Sequence, residues 1–327
     1  MDISVITTVY NKEKILLENI AHTLSQRNVE FEFILVDDKS PDNCPKILDA
    51  VADEYSNVRV IHRTVNGGHV EAYNTGILAA KGDYIILIDA DDYINYDYAL
   101  HDMLKIAKMT ESDAVLSDFT GHYNKTSQNI AYVGTGRAYL MQMLEDNFYH
   151  PTTRSRLFKS SVFKDNLLRN YIIDDEEWTL RTLFKLEKIA VYSKKIYTRT
   201  TPSDSVTQTI SEANYYRKSR DRILATIDMA SYFDKLDLTK KEKRLIYTRI
   251  VNLYMMAINI RMTKITNEKF IENLDKLIQD SCYLLDYSKY VKKKIYRYFN
   301  LLRRIIGINH AIKLYYCMLR LGNHNIY

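Results

Sequence analysis

The sequence predicts an α/β fold: a mostly parallel, Rossmann-like sheet covered by helices, followed by an all-helical C-terminal region. Three observations carry this. Short, β-branched apolar runs alternate with helically spaced apolar residues as far as Ser117. Polar residues follow several of those runs directly. Beyond Ser211 only helical spacing remains. Strand–helix alternation of this kind implies parallel neighbours joined by right-handed crossovers and covered on both faces.

Ile3–Val9 reads as a buried strand, and residues 13–26 as a helix with Ile15, Leu16, Ile20 and Leu24 on one face. Strands follow over 31–36, 58–61, 84–88 and Ala114–Ser117, with helices over 45–55, 71–80 and 98–109 between them. Residues 123–209 are mixed: short strands over Ile189–Tyr192 and 195–198 surround one acidic helix start. Thr239-Lys240-Lys241-Glu242 is a capping box that opens a helix running to about Arg261, and Thr266 reads as the next cap. A boundary near residue 210 divides the chain into domains 1–209 and 210–327.

Composition narrows the class. Hydrophobic residues make up 46% of the 327, enough for a sizeable core, while 9 glycines and 4 prolines leave no room for long flexible linkers. The 27 tyrosines suit partly wet surfaces, where the ring is covered and the hydroxyl stays hydrated. The three cysteines, Cys44, Cys282 and Cys317, have no metal spacing and read as reduced thiols of a cytosolic protein. Met1-Asp2 runs directly into an apolar strand, so no signal peptide is expected, and no apolar run approaches the ~18 residues of a membrane span. The net charge of +5 is uneven: residues 287–327 hold nine Lys or Arg and no Asp or Glu. Within that tail Val291, Ile295, Tyr298, Leu302 and Ile305 fall at helical spacing, with Lys289, Lys293, Arg297 and Arg304 as a second stripe. This is the pattern of a basic amphipathic helix for an anionic membrane surface, with packing on the same chain or on a second copy as the plain alternative.

In a sheet of this kind ligands bind beyond the carboxyl ends of the strands. Three such ends are polar: Thr7-Thr8-Val9-Tyr10-Asn11, Asp37-Asp38-Lys39-Ser40-Pro41-Asp42 and Asp89-Ala90-Asp91-Asp92. Carboxylates suit hard divalent cations that share their shell with phosphates. Each phrase also has a plain reading: a solvated turn for the Asp run, an Asx turn before a helix for Asp37-Asp38, ordinary packing for Tyr10. Gly67-Gly68 permits close approach of backbone to a phosphate or is simply a turn. Asp174-Asp175-Glu176-Glu177 precedes a helix carrying Trp178; it either caps that helix through the dipole or supplies a general base. No Gly-x-Gly-x-x-Gly is present, which disfavours a dehydrogenase. Residues 7–12 contain no glycine, which disfavours a nucleotidyltransferase, the main enzymatic rival. No nucleic-acid motif accompanies the basic tail.

The order and spacing decide between these readings. Ser4-Val5-Ile6…Tyr10-Asn11, Val36 to Asp42, Asn66, Gly68, Asn74, Gly76, Gly82-Asp83-Tyr84-Ile85 and Asp89 to Asp92 together resemble family 2 glycosyltransferases with the GT-A fold. The resemblance covers residues 2–209. It implies an inverting enzyme that moves a sugar from a nucleotide diphosphate, usually UDP, to a hydroxyl of a glycan, lipid-linked or protein-linked acceptor in cell-surface glycan synthesis. Thr8, Tyr10 and Asp38 would hold the nucleobase, with Asn11, Gly68 and Asn74 also lining the nucleotide site. Asp91 would contact the ribose. Asp91 or Asp92 would bind Mn²⁺ or Mg²⁺, with Asp89 as a further ligand or a shaper of the turn. Asp175, or its neighbour Asp174, would be the base. Arg199 and Ser205, in stretches matching Tyr-x-Arg and Ser-Ile-Thr, would close over the diphosphate. Two departures stand out: Tyr73 replaces a common Arg, so a cation is missing there or supplied elsewhere, and Asp174 replaces the more usual Glu. The Gln-x-x-Arg-Trp phrase of processive synthases is absent, which favours transfer of one sugar per binding event. The location implied is cytoplasmic or peripheral at the inner face of the membrane. The non-enzymatic alternative is a degenerate transferase acting as a binding subunit, against which the intact acids argue.

Overall fold

The computed structural model describes residues 1–117, 130–200 and 210–321, the side chains of 318–321 excepted; Ser205 and its neighbours lie outside the described residues. The chain forms two compact units, one of residues 1–170 and 174–203, the other of residues 171–173 and 204–327.

The first unit is built on one eight-stranded sheet. Its strands are β1 (Ile3–Val9), β2 (Phe31–Asp37), β3 (Val58–His62), β4 (Tyr84–Asp89), β6 (Ala114–Ser117), β7 (Ile130–Gly134), β8 (Arg156–Lys159) and β9 (Ile189–Tyr192); β5 (Tyr93–Ile94) pairs separately with β10 (Tyr197–Thr198). The order is β3-β2-β1-β4-β8-β6-β9-β7. β1, β2, β3 and β4 are parallel, as are β6 and β9; β8 and β7 run antiparallel to their neighbours. β1, β2 and β4 are buried along nearly their whole length, which is why they read as mainly apolar runs rather than alternating ones, while β3 at the sheet edge is largely half-exposed. β8 and β7 went unread within the mixed region. They are four and five residues long, β8 opens on Arg156, and β7 is half-exposed.

Helices α1 (Leu16–Leu24), α2 (Cys44–Glu54), α3 (His69–Ala79), α4 (Ala99–Thr110), α5 (Gly136–Glu145) and α6 (Asp174–Lys185) belong to the same unit. Leu16, Ile20, Cys44, Leu48, Val51, Leu100 and Met103 are buried in its core. The chain enters α3 through Gly68, whose φ of +85° is left-handed territory that a side chain would resist. Strand order reverses on either side of β1, between β2 and β4, the place where an open α/β sheet leaves a crevice for ligand. In register, Thr8 of β1 lies opposite Val36 of β2 and Asp89 of β4, so the three polar strand ends share one rim.

The second unit is helical: α7 (Glu212–Phe233), α8 (Lys240–Lys264), α9 (Glu268–Ser281), α10 (Lys294–Ile306) and α11 (Ile308–Leu321), with a 3₁₀ segment over Cys282–Tyr290. Thr239 and Glu242 form the expected reciprocal capping box of α8. The cap of α9 is Asn267, whose side chain accepts from Phe270 N–H at 3.1 Å, and not Thr266. The Thr266 hydroxyl is drawn to Glu212 instead, at 3.1 Å. The amphipathic tail also differs from expectation. Helical phase begins only at Lys294, so Val291 falls outside the helix and is buried. Tyr296 and Phe299 form the inward face of α10, while Tyr298, Leu301 and Ile305 are 60%, 55% and 69% exposed, on the same outer stripe as Lys294, Arg297 and Arg304. Among the described residues no helix is long and apolar enough to cross a membrane, and the three cysteines are free thiols.

Candidate active site

The site begins at the end of β4. Asp89 Oδ1 accepts from the Nε of Arg154 at 3.0 Å and lies 2.8 Å from the Tyr73 hydroxyl, which is also 2.8 Å from the carbonyl of Ile88. The Arg154 guanidinium lies over the Tyr73 ring, 4.6 Å from its centre. A cation therefore stands against Tyr73, supplied from the segment before β8. Its other end reaches the N-terminus of α6: Arg154 Nη1 is 3.0 Å from Asp175 Oδ1 and 3.3 Å from Asp174 Oδ2. One buried guanidinium thus ties the acid at the end of β4 to the acids at the start of α6, more than eighty residues apart in sequence.

Environment separates the two α6 acids. Asp174 is buried and pairs with Arg154 and with His69 Nε2 at 3.0 Å. Burial opposes its charge, but Arg154 and His69 together outweigh burial and hold the carboxyl below its ordinary value. Asp175 is a third exposed. Its Oδ1 accepts from the Thr153 N–H at 2.8 Å and hydroxyl at 2.7 Å, while its Oδ2 has no partner among the described residues. Burial and the neighbouring Asp174 charge push the Asp175 carboxyl up despite Arg154. A carboxylate with one open oxygen and a raised pKa is suited to take a proton.

The acidic run divides differently from the sequence reading. Asp92 is buried; its Oδ1 accepts from the Thr200 N–H at 2.8 Å and its Oδ2 from the Tyr197 hydroxyl at 2.8 Å. Burial, with the Asp89 charge beside it, pushes this carboxyl up to about 6. Asp92, expected to bind metal, has both oxygens committed to anchoring the turn, and Asp89, expected as a further ligand or a shaper of the turn, keeps Oδ2 open among the described residues. Asp91 pairs through Oδ2 with Lys12 at 2.9 Å and, among the described residues, keeps Oδ1 open. Among the described residues no three His, Cys, Asp or Glu side chains are grouped to hold an ion. The three-aspartate set is therefore not formed. Two carboxylates with open oxygens, Asp89 and Asp91, fit a Mg²⁺ or Mn²⁺ ion whose remaining ligands are phosphate and water.

Asp38 is also buried. It accepts from the backbone N–H of Gly67 at 3.1 Å and of Gly68 at 2.7 Å, and pairs with Arg63. Tyr10 is 46% exposed and open for stacking; Asn11 beside it is left-handed (φ +54°), its N–H 3.3 Å from the Ser40 hydroxyl. Asn74, expected at the nucleotide site, uses both ends of its amide on the backbone of Leu168, at 2.9 and 3.1 Å, a structural role. Arg199 is exposed just beyond β10. Lys12, Arg63, His69, Thr153 and Arg154 were not assigned to the site by sequence. Arg63 had a signal, a basic residue one step past the rim end of β3. Arg154 had none, because nothing periodic marks Thr152-Thr153-Arg154.

The model of the family described as "Glycosyl transferase family 2" matches residues 4–172. Glycosyltransferase GlyG of Streptococcus pneumoniae is 28% identical over 253 residues, 70% of this chain and 83% of that protein. A poly(ribitol-phosphate) beta-glucosyltransferase of Bacillus spizizenii is 32% identical over 198 residues, 58% of this chain but only 31% of that longer protein. The crystal structure of Staphylococcus aureus TarS 1–349 in complex with UDP superposes with a TM-score of 0.72 at 18% identity, covering 100% of this chain and 93% of that one, a likeness of fold. With the family model spanning more than half its length, the chain belongs to glycosyl transferase family 2 and is a glycosyltransferase of the GT-A fold.

Proposed function

We propose that the chain moves a sugar from a UDP-sugar to a hydroxyl of a cell-surface glycan polymer, with inversion, and that Asp175 is the base. The observation that carries this is the bridge of Arg154 between Asp89 and Asp175, which joins the strand-end acids and the α6 acids in one site. The UDP of the TarS complex and the polymer named for the B. spizizenii relative support the donor and acceptor classes. We assign catalysis to residues 1–209 and treat 210–327 as a helical domain.

Tyr10 stacks on the base, and the β1 and β2 ends at Thr8 and Asp38 frame it. Asp91, with Asp89, would hold a Mn²⁺ or Mg²⁺ ion, which neutralises the diphosphate as charge builds on it. Asp175 Oδ2 accepts the proton of the acceptor hydroxyl while that oxygen forms its bond to the anomeric carbon. The bond from that carbon to the β-phosphate oxygen breaks on the opposite face, and its electrons leave with UDP. Asp174, held charged by Arg154 and His69, keeps the negative charge beside Asp175 that favours proton uptake. The outer stripe of α10, apolar at its centre and basic at its flanks, docks on anionic lipid and makes the enzyme peripheral at the membrane.

Asp175→Asn tests the base. Transfer falls at least about 1,000-fold, within the range of general-base loss with its positioning, while UDP affinity by calorimetry stays within a few-fold. Near-normal transfer in this variant overturns the assignment.

A further inference from the structure

Arg156, at the start of β8, is a buried cation with most of its hydrogen-bonding capacity unspent. It is 6% exposed, and its Nη2 donates to the carbonyl of His150 at 3.0 Å. Its Nε and Nη1 have no hydrogen-bond partner among the described residues, and none of their carboxylates forms an ion pair with it. Burial pulls the guanidinium below its ordinary value. Donors buried without acceptors cost stability, so each one calls for a reason. Arg154 is the contrast: its guanidinium is spent on Asp89, Asp174 and Asp175. Ser155, between the two arginines, is buried and left-handed at φ +55°, backbone strain of the kind that collects at functional sites.

The fold puts this guanidinium beside the base. Alternate residues of a strand share a face, and Phe158 packs edge-on against Trp178 of α6, ring centres 5.1 Å apart. Arg156 therefore lies on the α6 side of the sheet. The segment just before it carries the start of that helix: Thr153 gives its N–H and hydroxyl to Asp175, and the Thr179 hydroxyl donates to the Thr152 carbonyl at 3.2 Å. The charge of Asp175 reaches Arg156 there, and Tyr139 of α5 and Tyr149 face it as well. These surroundings come to the surface: His150 is exposed, and Tyr139, Tyr149 and Asp175 are partly so.

We propose that Arg156 is an acceptor-binding residue, whose Nε–H and Nη1–H groups donate to hydroxyl oxygens of the acceptor unit that carries the reacting hydroxyl. That unit is held with its reacting hydroxyl against Asp175 Oδ2. Charge selects an uncharged unit. Asp89, Asp174 and Asp175 already share Arg154 as their cation, so a phosphate or carboxylate on the same unit would meet like charge at close range. What Arg156 lacks is hydrogen-bond acceptors, which neighbouring hydroxyls supply, whether on a sugar ring or on an open-chain alditol. Tyr139 and Tyr149 add ring surface beside it. The proposal rests on the glycosyltransferase reading and deepens it by naming the residue that places the acceptor.

The test follows UDP release by the full chain from UDP-glucose and UDP-N-acetylglucosamine. Methyl β-glucoside, methyl β-N-acetylglucosaminide and ribitol are the uncharged acceptors, and methyl β-glucuronide is the charged comparison. An uncharged acceptor is expected to raise UDP release above hydrolysis, and the glucuronide is not; stimulation by a glycoside marks a ring unit, by ribitol alone an open chain. Arg156→Met is expected to raise the KM of that acceptor at least about tenfold, the scale of two lost hydrogen bonds, with a smaller change in kcat and UDP affinity by calorimetry kept within a few-fold. Its unfolding temperature is expected not to fall, since the unmet donors leave with the side chain, whereas a structural arginine would take stability with it. Arg156→Lys keeps one donor group and is expected to recover part of the KM; should Arg156→Met fail to fold, a several-fold rise in KM in Arg156→Lys is the supporting result. No stimulation of the wild type by any uncharged acceptor, preference for the glucuronide, or an acceptor KM unmoved in the folded variant overturns the proposal. A wild type that does not bind UDP strikes the glycosyltransferase reading and the proposal with it; one that binds UDP while Arg156→Met keeps its KM strikes the proposal alone.

Discussion

Arg154 Nη1 stands 3.0 Å from Asp175 Oδ1, in a position where the same guanidinium also neutralises Asp89 and Asp174. Three carboxylates share one buried cation, which is why Asp174 can remain charged while burial and that charge raise Asp175. Removing the cation leaves uncompensated charge in a buried place, a loss of about 3–5 kcal/mol for a buried pair. Arg154→Ala should lower unfolding stability in urea by about that order. In Arg154→Lys the charge remains but the planar fork that reaches both acid groups is lost, so transfer should fall at least about 100-fold with a smaller stability loss. The acidic limb of the pH–rate profile should move to higher pH in Arg154→Ala, because Asp175 loses the cation that favours its charge, and less in Arg154→Lys, which keeps a positive charge. An unmoved limb would show that Arg154 does not act on Asp175.

Asp92 gives a stability signature of its own. Its carboxyl is raised to about 6 in the folded chain, so between about pH 4 and pH 6 the folded state holds a proton that the unfolded chain has released. That contribution is present at low pH and is lost as pH rises through the folded value. Asn at this position stays neutral at every pH, so Asp92→Asn escapes that loss, and Asn can still accept the Thr200 N–H. The variant should be more stable than wild type at pH 7, by up to about 3 kcal/mol, with the difference shrinking toward pH 4. Thermal melts of both proteins across that range check the sign; a difference that grows on acidification would contradict it.

Much of this architecture was legible. β1, β6 and β9 fall on the residues read from sequence, because strands covered on both faces leave continuous apolar runs. The three strand ends meet as expected, because a parallel register carries Thr8, Val36 and Asp89 to the same level. What escaped was what depends on non-local partners. β8 is inserted antiparallel between β4 and β6 by long-range pairing that no local pattern records. Arg154 is a lone base whose meaning comes from acids in two other elements. The roles within Asp89 to Asp92 also could not be read from spacing, since which oxygens stay open depends on Tyr197, Thr200, Lys12 and Arg154.

The division of that acidic run makes a metal prediction. With UDP present, Mn²⁺ should raise the melting temperature of the wild type, since binding to the folded state alone stabilises by mass action. Asp91→Asn should abolish the metal-dependent part of the shift, and Asp92→Asn should leave most of it. Lys12→Met should lower the Mn²⁺ concentration needed, because Lys12 holds Asp91 Oδ2 as a competing cation. A loss confined to Asp92→Asn would move the metal from Asp91 to Asp92, the other of the two ligands read from sequence.

The outer stripe of α10 makes the last prediction. Tyr298, Leu301 and Ile305 are exposed at one-turn intervals beside Lys294 and Arg297, while Tyr296 and Phe299 anchor the opposite face inward. Replacing the three exposed apolar residues with Ser leaves the anchoring face untouched, so folding should be kept. Each of Lys294 and Arg297 near an anionic surface contributes about 1 kcal/mol, and the apolar trio adds insertion into the headgroup boundary. Sedimentation with vesicles containing phosphatidylglycerol should therefore pull down the wild type at low salt. The triple Ser variant should bind more weakly and become fully salt-reversible, since only the electrostatic part is left. Lys294→Glu with Arg297→Glu should abolish binding. Vesicle binding that ignores both sets of changes would move the contact away from α10.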